Sequence, residues 1–439
     1  MAPIISSVGS GAGRIIKTDY KKKEIRKAGQ DQLSSKLQEN VLLESSPSIL
    51  EQNISRISLL KSESPQIESK KPLNLSNSET NLNGSISKQS FIVGSRKSNL
   101  AVIQTEFVME NLKKHFPGKT LSLVTMSTVG DKVLDVALSK IGEKSLFTKE
   151  LEVALYSKTV DMVVHSLKDL PTTLPPNMSL GAILAREDPR DVAIMSLQTK
   201  YTSLSSLPAG SVVGTSSVRR IAQLKKAHSH LVFRDIRGNL NTRFAKLDNP
   251  ENGYSALILA AAGVKRLGFG DRITEYLDDN TMFYAVGQGA LAVEIRTDDS
   301  DTEKLTRSLV DTKTLLECTA ERSLMRHLEG GCSIPIGVWS SWKLDSNNKP
   351  SVLVVRGMVS SVDGVDYINS EYSFNVFSES GKTTKSKTNE MVFDSESSFE
   401  SIPRSLVETY MENAEHVGFE LGEKLKSLGA ERILSNIQH

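Results

Sequence analysis

The sequence predicts an α/β protein built on parallel sheets covered by helices, followed by a smaller α+β domain. Two observations predict this fold class. Strand and helix patterns alternate from residue 91 to about residue 308, as in parallel sheets whose connections are helices. After about residue 312 the pattern changes to a helix, two strands that flank Asp363-Gly364, and a long amphipathic helix.

The elements follow in order along the chain. Residues 91–94 are a predicted strand, and Ser98 suits the N-cap of a helix that places Leu100, Ile103 and Phe107 on one face. The alternation then predicts strands at 121–128, 160–166, 211–217, 231–238 and 255–263, and helices at 148–157, 218–227 and 241–247. The final helix has its apolar residues in register at Ala414, Val417, Leu421, Leu425 and Leu428.

Composition argues against two classes of protein. Of the 439 residues, 38% are hydrophobic and 24% are charged, which is ordinary for a soluble globular protein. A net charge of +2 is too balanced for a protein that binds nucleic acid over its whole surface. The most apolar stretch, 256–264, is far shorter than the roughly 20 residues of a membrane span. We therefore expect neither a nucleic acid nor a membrane as a partner.

Two polar segments are not expected to join the folded core. Residues 1–90 are rich in Ser, Asn, Lys and Gln and cannot bury enough apolar surface to offset the entropy of ordering, so a disordered extension is predicted. A polar insertion at about 372–398 is predicted to form a loop.

The chain has two cysteines, too few for a disulfide framework or a zinc cluster. Cys318 lies in an apolar helical stretch and is interpreted as an inert buried thiol. Cys332 differs, because it is flanked by Gly330, Gly331 and Ser333 in a bend where its sulfur can be reached. Its surroundings alone leave both a functional and an inert thiol open.

Arginine recurs where predicted strands turn into helices. Arg219 and Arg220 share one first helical turn, where the helix macrodipole disfavours cations. An anion bound between the helix N-terminus and the two guanidiniums would explain the pair, and two solvated surface arginines are the alternative. Comparable turns hold Arg96, Arg237, Arg243 and Arg266. Such turns gather at the carboxyl edge of a parallel sheet, so the recurrence indicates a ligand with several carboxylates or phosphates.

Asp169 is the prominent carboxylate at this arginine-rich edge, directly after the predicted strand 160–166. It could cap the next turn or pair with an arginine, or it could stabilise a developing cation and transfer protons. Lys168 could steer anions, whereas His165 is interpreted as a packed strand residue.

Two kinds of moving part are predicted. Lys140 and Lys144 lie beside a glycine ahead of a helix, which suits either a loop that closes over an anionic ligand or a solvated basic loop. The stretches 186–191 and 284–296, the second with Gln288 between two glycines, are interpreted as two crossings between sheet domains.

Six motifs, in this order, closely resemble the porphobilinogen deaminase family, also called hydroxymethylbilane synthases. They are VVHSLKDLP (163–171), VVGTSSVRR (212–220), IRGNLNTR (236–243), LAAAGVKRLG (259–268), AVGQGALAVE (285–294) and EGGCSIPIG (329–337). The resemblance covers about 91–340, is weaker from 341 onward, and leaves the first 90 residues outside.

The resemblance implies two periplasmic-binding-protein-like domains of type II, with parallel or mixed sheets and two hinge crossovers, plus a small C-terminal α+β domain. The first domain would comprise 91–186 and 290–308, the second 190–284, and the third 312–439. Family members are typically monomeric and cytosolic, or plastidic in plants. The resemblance therefore implies a monomer. Because the acidic residues Asp19, Glu24 and Asp31 count against a transit peptide, we expect a cytoplasmic protein.

The resemblance also implies the reaction. Four porphobilinogen molecules are joined head to tail, with loss of ammonia, onto a covalent dipyrromethane cofactor, and the linear tetrapyrrole hydroxymethylbilane is released by hydrolysis. Cys332 matches the cofactor cysteine, and Asp169 matches the catalytic aspartate, with Lys168 beside it. The matched cofactor-binding positions are Ser98, Lys168, Asp169, Thr215, Ser217, Arg219, Arg220, Arg237 and Gly238. The matched substrate-binding positions are Arg96, Ser98, Arg237, Arg243, Arg266, Gln288, Lys140, Lys144 and Phe147.

Two other hypotheses compete with this one. A non-catalytic protein that senses an anionic solute would explain the arginines and the crossings but leave Cys332 and Asp169 without a role. A nucleic-acid-binding module would need a basic face with stacking aromatic residues, yet aromatic residues make up only 5% of the chain.

Overall fold

The computed structural model describes residues 86–128, 147–328, 334–378 and 404–437. Outside them lie the predicted extension as far as residue 85, the loop lysines Lys140 and Lys144, the bend with Cys332, and residues 379–398 of the predicted insertion.

Strands and helices alternate through much of the described chain. The strands are β1 (Ser90–Arg96), β2 (Thr120–Met126), β3 (Met162–Ser166), β4 (Met178–Ile183), β5 (Asp191–Met195), β6 (Val212–Gly214), β7 (Val232–Arg234), β8 (Ala256–Ala260), β9 (Glu275–Tyr276), β10 (Leu291–Arg296), β11 (Ile336–Leu344), β12 (Pro350–Ser360) and β13 (Tyr367–Phe374). The helices are α1 (Asn99–His115), α2 (Lys149–Tyr156), α3 (Val218–Ala227), α4 (Leu240–Asp248), α5 (Ala261–Arg266), α6 (Ser300–Arg307), α7 (Thr312–His327), α8 (Arg404–Ser427) and α9 (Ala430–Ser435).

The first two sheets share one plan. The first has the strand order β2-β1-β3-β10-β4, and the second has the order β7-β6-β8-β5-β9. In each, the first three strands of this order run parallel to one another, and the strand in fourth position runs antiparallel to both the third and the fifth. That fourth strand arrives from the other sheet: residues 184–190, the first crossing, lead from β4 to β5, and residues 277–290, the second crossing, lead from β9 to β10. The mixed sheets and the two crossings confirm the predicted fold class.

The third sheet is an antiparallel meander in the order β11-β12-β13. It shares one hydrophobic core with α7 and α8, in which Leu324, Leu353 and Leu421 are fully buried. β11 is also bound to the second crossing, because the backbone N–H of Tyr284 donates to the carbonyl of Val338 at 3.0 Å and the reverse bond measures 2.9 Å. This is the small α+β part that the sequence predicts; the exact domain limits stay a prediction.

The two crossings lie against each other and against the end of β3. Gly289 has a φ of +91°, and a Cβ there would lie 2.3 Å from the carbonyl oxygen of Glu187 in the first crossing. Gly287 has a φ of +70°, and a Cβ there would lie 2.9 Å from Cγ of Leu167. The backbone N–H of Leu167 donates to Ala290 at 3.0 Å. Glycine is therefore required at both positions by conformation and by space.

A buried ion pair joins both crossings to α7. Arg186 of the first crossing donates from its two Nη atoms to the carboxylate of Glu321 at 2.7 and 2.9 Å, and its Nε donates to the carbonyl of Gln288 at 2.8 Å. The same carboxylate accepts the backbone N–H of Gly287 at 2.8 Å and the hydroxyl of Ser340 in β11 at 2.8 Å. Two crossings, one helix and one strand thus meet at a single carboxylate.

Two interpretations of individual residues are confirmed. His165 is buried in β3 and pairs with Glu294 of β10 at 2.9 Å. Cys318 is fully buried in α7, and burial raises the pKa of its thiol well above the ordinary value.

The buried face of α1 differs from the prediction. Phe107 is 52% exposed, whereas Gln104 and Thr105 are buried. Both polar side chains are satisfied: Ser166 donates to Gln104 at 3.1 Å, and Thr105 donates to Ser95 at 2.9 Å. The spacing of apolar residues does not reveal a buried helix face that contains hydrogen-bonded polar side chains.

Three element ends differ from the prediction. The final helix ends at Ser427, Gly429 follows with a φ of +101°, and Leu428 is 53% exposed, while the other four predicted apolar positions are buried. The predicted strand 255–263 ends at Ala260, and Gly263 lies inside α5. β7 ends at Arg234, so Arg237 lies three residues beyond the strand.

Breaking the ion pair between Arg186 and Glu321 should destabilise the protein strongly. The substitution Glu321→Gln leaves the buried guanidinium with only its longer contact to Glu317 at 3.3 Å. Breaking a buried pair costs about 3–5 kcal/mol, and the remaining carboxylate places the expected loss toward the lower end of that range. The matched control is Glu415→Gln, which removes the partly exposed pair with Arg326 and should cost only about 0.2–1 kcal/mol. Urea unfolding followed by the fluorescence of Trp339 and Trp342 measures both. Equal losses in the two variants would contradict a special role for the buried pair.

Candidate active site

The carboxyl ends of β1 and β3 place four of the predicted site residues on neighbouring strands of the first sheet. β1 ends at Arg96, whose guanidinium lies 4.3 Å from the ring centroid of Phe147. Ser98 is the N-cap of α1, and its hydroxyl makes no capping hydrogen bond. β3 leads directly into a 3-10 turn, Leu167–Asp169, on which Lys168 is half-buried and Asp169 is exposed.

The carboxyl end of β6 leads into α3 in the second sheet. Thr215 is buried, and its hydroxyl accepts the backbone N–H of Ser217 at 3.3 Å. Ser217 is the N-cap of α3 but makes no side-chain capping bond. Arg219 and Arg220 follow in the first turn, as predicted, and both are buried. The alternative that they are solvated surface residues is wrong.

The anion beside these two arginines is a carboxylate of the chain itself. Asp191, the first residue of β5, is fully buried and accepts hydrogen bonds from Arg219 at 2.7 Å and from Arg220 at 2.8 and 3.1 Å. Burial alone would raise the pKa of Asp191, but the two guanidiniums outweigh burial and hold that pKa well below its ordinary value. One negative charge between two guanidiniums leaves the cluster positive.

Gln288 connects this cluster to the second crossing. Its Nε2 donates to Asp191 at 2.9 Å and to the carbonyl of Pro189 in the first crossing at 2.7 Å. Its Oε1 is buried and has no hydrogen-bond partner among the described residues. A buried carbonyl oxygen without a donor is an acceptor that a ligand N–H can satisfy.

A second group of arginines follows β7. Gly238 has a φ of +107° and turns the chain, and the guanidinium of Arg243 in α4 donates to its carbonyl at 2.9 Å. Burial, together with the charges of Arg220 and Arg237, lowers the pKa of Arg243 to about 10. Asp235, 3.5 Å from Nε of Arg237, opposes this effect with one negative charge. The group still carries more positive than negative charge, which favours an anionic ligand here.

Arg266 lies apart from this group in its contacts. It ends α5, and its guanidinium donates to the carbonyl of Gly289 in the second crossing at 2.7 Å. Its neighbour Lys265 pairs with Glu187 of the first crossing at 3.2 Å. α5 is therefore bound to both crossings through these two side chains. Substrate binding by Arg266 stays a prediction.

The electrostatics of Lys168 show that residues of both sheets act on one another. Burial lowers the pKa of Lys168, the carboxylate of Asp169 opposes this, and the guanidinium of Arg220 lowers the pKa further, with smaller effects from Asp191 and Arg219. A lysine of the first sheet is thus within electrostatic reach of the arginine pair of the second. The second crossing brings these predicted residues together, because Gly287 packs against the turn that carries Lys168 while Gln288 donates to Asp191. Cys332, Lys140 and Lys144 lie outside the described residues.

Asp191 is not among the site residues predicted above. The signal was present, because a charged residue stands immediately before the apolar run VAIM at the start of a buried strand. Such a carboxylate is expected to have a partner of opposite charge. Within the described residues there is no group of three or more His, Cys, Asp or Glu side chains arranged to hold a metal ion.

Comparison with known proteins identifies the family. Residues 91–304 match the family model "Porphobilinogen deaminase, dipyromethane cofactor binding domain", and residues 315–392 match "Porphobilinogen deaminase, C-terminal domain". The porphobilinogen deaminase of Candida albicans is 45% identical over 350 residues, which are 79% of this chain and 92% of that protein. That of Nostoc is 43% identical over 353 residues, 80% of this chain and 96% of that protein. The chain therefore belongs to the porphobilinogen deaminase family.

Proposed function

We propose that the residues gathered at the carboxyl edges of the first two sheets carry out the family's reaction in this chain. That reaction is a transferase reaction, the stepwise head-to-tail condensation of four porphobilinogen molecules into hydroxymethylbilane, with loss of ammonia, and the chain is an enzyme of this kind. The observation that carries the assignment of residues is the position of the second crossing between the two groups. Gly287 packs against Leu167, next to Lys168 and Asp169. The adjacent Gln288 donates to Asp191, which binds the arginine pair.

The described residues fit the dipyrromethane cofactor of the family. The cofactor carries acid side arms and pyrrole N–H groups, so its site needs cations and hydrogen-bond acceptors. The cations are present in Arg219 and Arg243, and the buried Oε1 of Gln288 is an acceptor without a donor. When bound, the cofactor supplies the pyrrole position to which incoming units are added. We propose Cys332 as its attachment point.

Each protein group then has a defined task. Arg96, Arg237, Arg243 and Arg266 bind the acetate and propionate groups of porphobilinogen by charge-assisted hydrogen bonds, each contributing roughly 1.5–3 kcal/mol. Asp169 accepts a pyrrole N–H and stabilises the positive charge that develops on ring nitrogen as ammonia leaves. Lys168, beside it, attracts the acid side arms while it is protonated.

The positions of α7 and β11 support Cys332 as the attachment point. α7 is bound to the crossings through Glu321, and β11 is bound to the second crossing through Val338. The cysteine follows α7 and precedes β11 in the chain. Both elements that flank it are therefore bound beside Gln288, at the centre of the proposed site.

We further propose a monomeric, cytoplasmic enzyme without a nucleic acid partner, with the domain limits given above. The near-neutral net charge of +2 supports the absence of a nucleic acid partner. Among the described residues, no helix combines the length and the apolar character that a membrane crossing needs. Light scattering on the purified chain measures the oligomeric state directly.

Intact mass should reveal the covalent cofactor. Protein purified from cells that make porphobilinogen should be heavier than the bare chain, and the excess should disappear in Cys332→Ser, because a hydroxyl is a far weaker nucleophile than a thiolate. The matched control is Cys318→Ala, which removes the other, fully buried cysteine and should keep the adduct. A bare mass in the parent protein would instead favour a sensor of anionic solutes.

The substitution Asp169→Asn should lower kcat by roughly 10²–10³-fold, since it removes one preorganised electrostatic contact to the developing cation. The side chain is exposed, so the thermal midpoint and the mass adduct should stay unchanged. Steady-state kinetics, calorimetry and mass spectrometry measure the three quantities. The control is Asp271→Asn, another exposed aspartate outside the proposed site. Near-normal turnover in Asp169→Asn would assign the role to a different carboxylate.

A further inference from the structure

We propose that Asp191 is a positioning residue for the reaction: its buried carboxylate holds Arg219 by one nitrogen, so that the opposite edge of that guanidinium is presented to an acid side arm of the ligand. This inference rests on the proposed role of Arg219 in binding the ligand. It assigns a task to a residue that does not itself touch the ligand.

The contacts of the two arginines differ in a way that supports this division. Arg220 uses all three of its guanidinium nitrogens, with Nε and Nη2 donating to Asp191 and Nη1 donating to the carbonyl of Ile258 at 2.8 Å. Arg219 uses only Nη1, which donates to Asp191 at 2.7 Å and to the carbonyl of Phe283. Nε and Nη2 of Arg219 make no hydrogen bond with the described residues.

The free edge of Arg219 has the geometry that a carboxylate needs. Nε and Nη2 of a guanidinium present two parallel N–H bonds, which a carboxylate accepts in a bidentate manner. The tether on Nη1 fixes the direction of that edge, because the side chain is otherwise a flexible one with several rotatable bonds. Arg220, whose Nε and Nη2 both donate to Asp191, has no such free edge and is held more firmly by that carboxylate.

Asp191 also connects the guanidinium of Arg219 to the two crossings. It is the first residue after the first crossing, and it shares its Oδ1 with the amide of Gln288 in the second crossing. A change in the angle between the two sheets acts on both crossings and so on the carboxylate that aims Arg219. The carboxylate thus connects the direction of the guanidinium to the relative position of the two crossings.

The test compares Asp191→Asn, which keeps the shape and removes the charge, with Asp188→Asn as a matched control. Asp188 lies on the first crossing and pairs with the partly exposed Arg190 at 2.7 Å. Asp191→Asn should lower kcat/KM roughly ten- to hundredfold, the scale for a misplaced binding group. The fraction of molecules that carry the mass adduct should also fall. Asp188→Asn should change neither quantity.

Stability alone does not decide the question, because Asp191→Asn should also lower the thermal midpoint. A second variant, Asp191→Glu, keeps the charge and moves the carboxylate by one methylene group. It should keep more of the stability than Asp191→Asn and still lower kcat/KM, because Arg219 is re-aimed. Normal kcat/KM in the folded fraction of both variants would overturn the proposal and leave Asp191 a purely structural residue.

The pH profile checks a separate effect of the Asp191 charge, its influence on the neighbouring Lys168. The charged groups that act on Lys168 are Asp169 on its own turn, Arg219 and Arg220 on α3, and Asp191 on β5. Removing the charge of Asp191 removes an influence that raises the pKa of Lys168. The basic limb of kcat/KM should therefore move to lower pH in Asp191→Asn and stay in place in Asp188→Asn.

One further variant separates this inference from the proposed function. Arg219→Gln removes the free guanidinium edge directly. If it lowers kcat/KM and adduct formation while Asp191→Asn does not, only the positioning role of Asp191 fails. If Arg219→Gln leaves both at the parent value, the proposed role of Arg219 in ligand binding fails, and the positioning role falls with it.

Discussion

The buried ion pair between Arg186 and Glu321 is the interaction on which the rest of the structure depends. The guanidinium belongs to the first crossing and the carboxylate to α7, and the same carboxylate binds the backbone N–H of Gly287 in the second crossing. Charges buried in this way are costly unless their donors and acceptors are engaged. The arrangement therefore specifies one position of the two crossings relative to α7. Because each crossing connects a strand of one sheet to a strand of the other, it also fixes where those strands begin and end.

A second buried carboxylate, Asp191, is likewise paired with guanidiniums, and it lies among the residues proposed to bind the ligand. It lies at the other end of the first crossing and binds two arginines of the second sheet and the amide of Gln288. The two carboxylates thus frame the junction between the sheets. Between them they connect α3, which carries the arginine pair, to α7, which leads in the chain to Cys332.

Local patterns predicted much of the fold, and long-range pairing accounts for most of what was missed. The turn from β6 into α3 and the burial of Cys318 follow from periodicity and composition within a few residues. The partner of Arg219 could not be read in this way, because Asp191 lies 28 positions earlier in the chain. Phe107 was predicted to lie on the buried face of α1, because the true buried face contains the polar Gln104 and so lacks an apolar pattern. The resemblance of the motifs predicted the family, and residues outside the described structure, Cys332 among them, stay predictions.

The exchange of strands between the sheets has a consequence for synthesis on the ribosome. In the first sheet β4 is an edge strand that pairs with β10, and every strand of the second sheet lies between those two in the chain. The second sheet can therefore close as the nascent chain emerges, while β4 still waits without its neighbour and the first sheet is interrupted. The topology thus allows the inserted half to fold first during synthesis, whereas the half that begins first cannot complete its sheet until β10 has emerged.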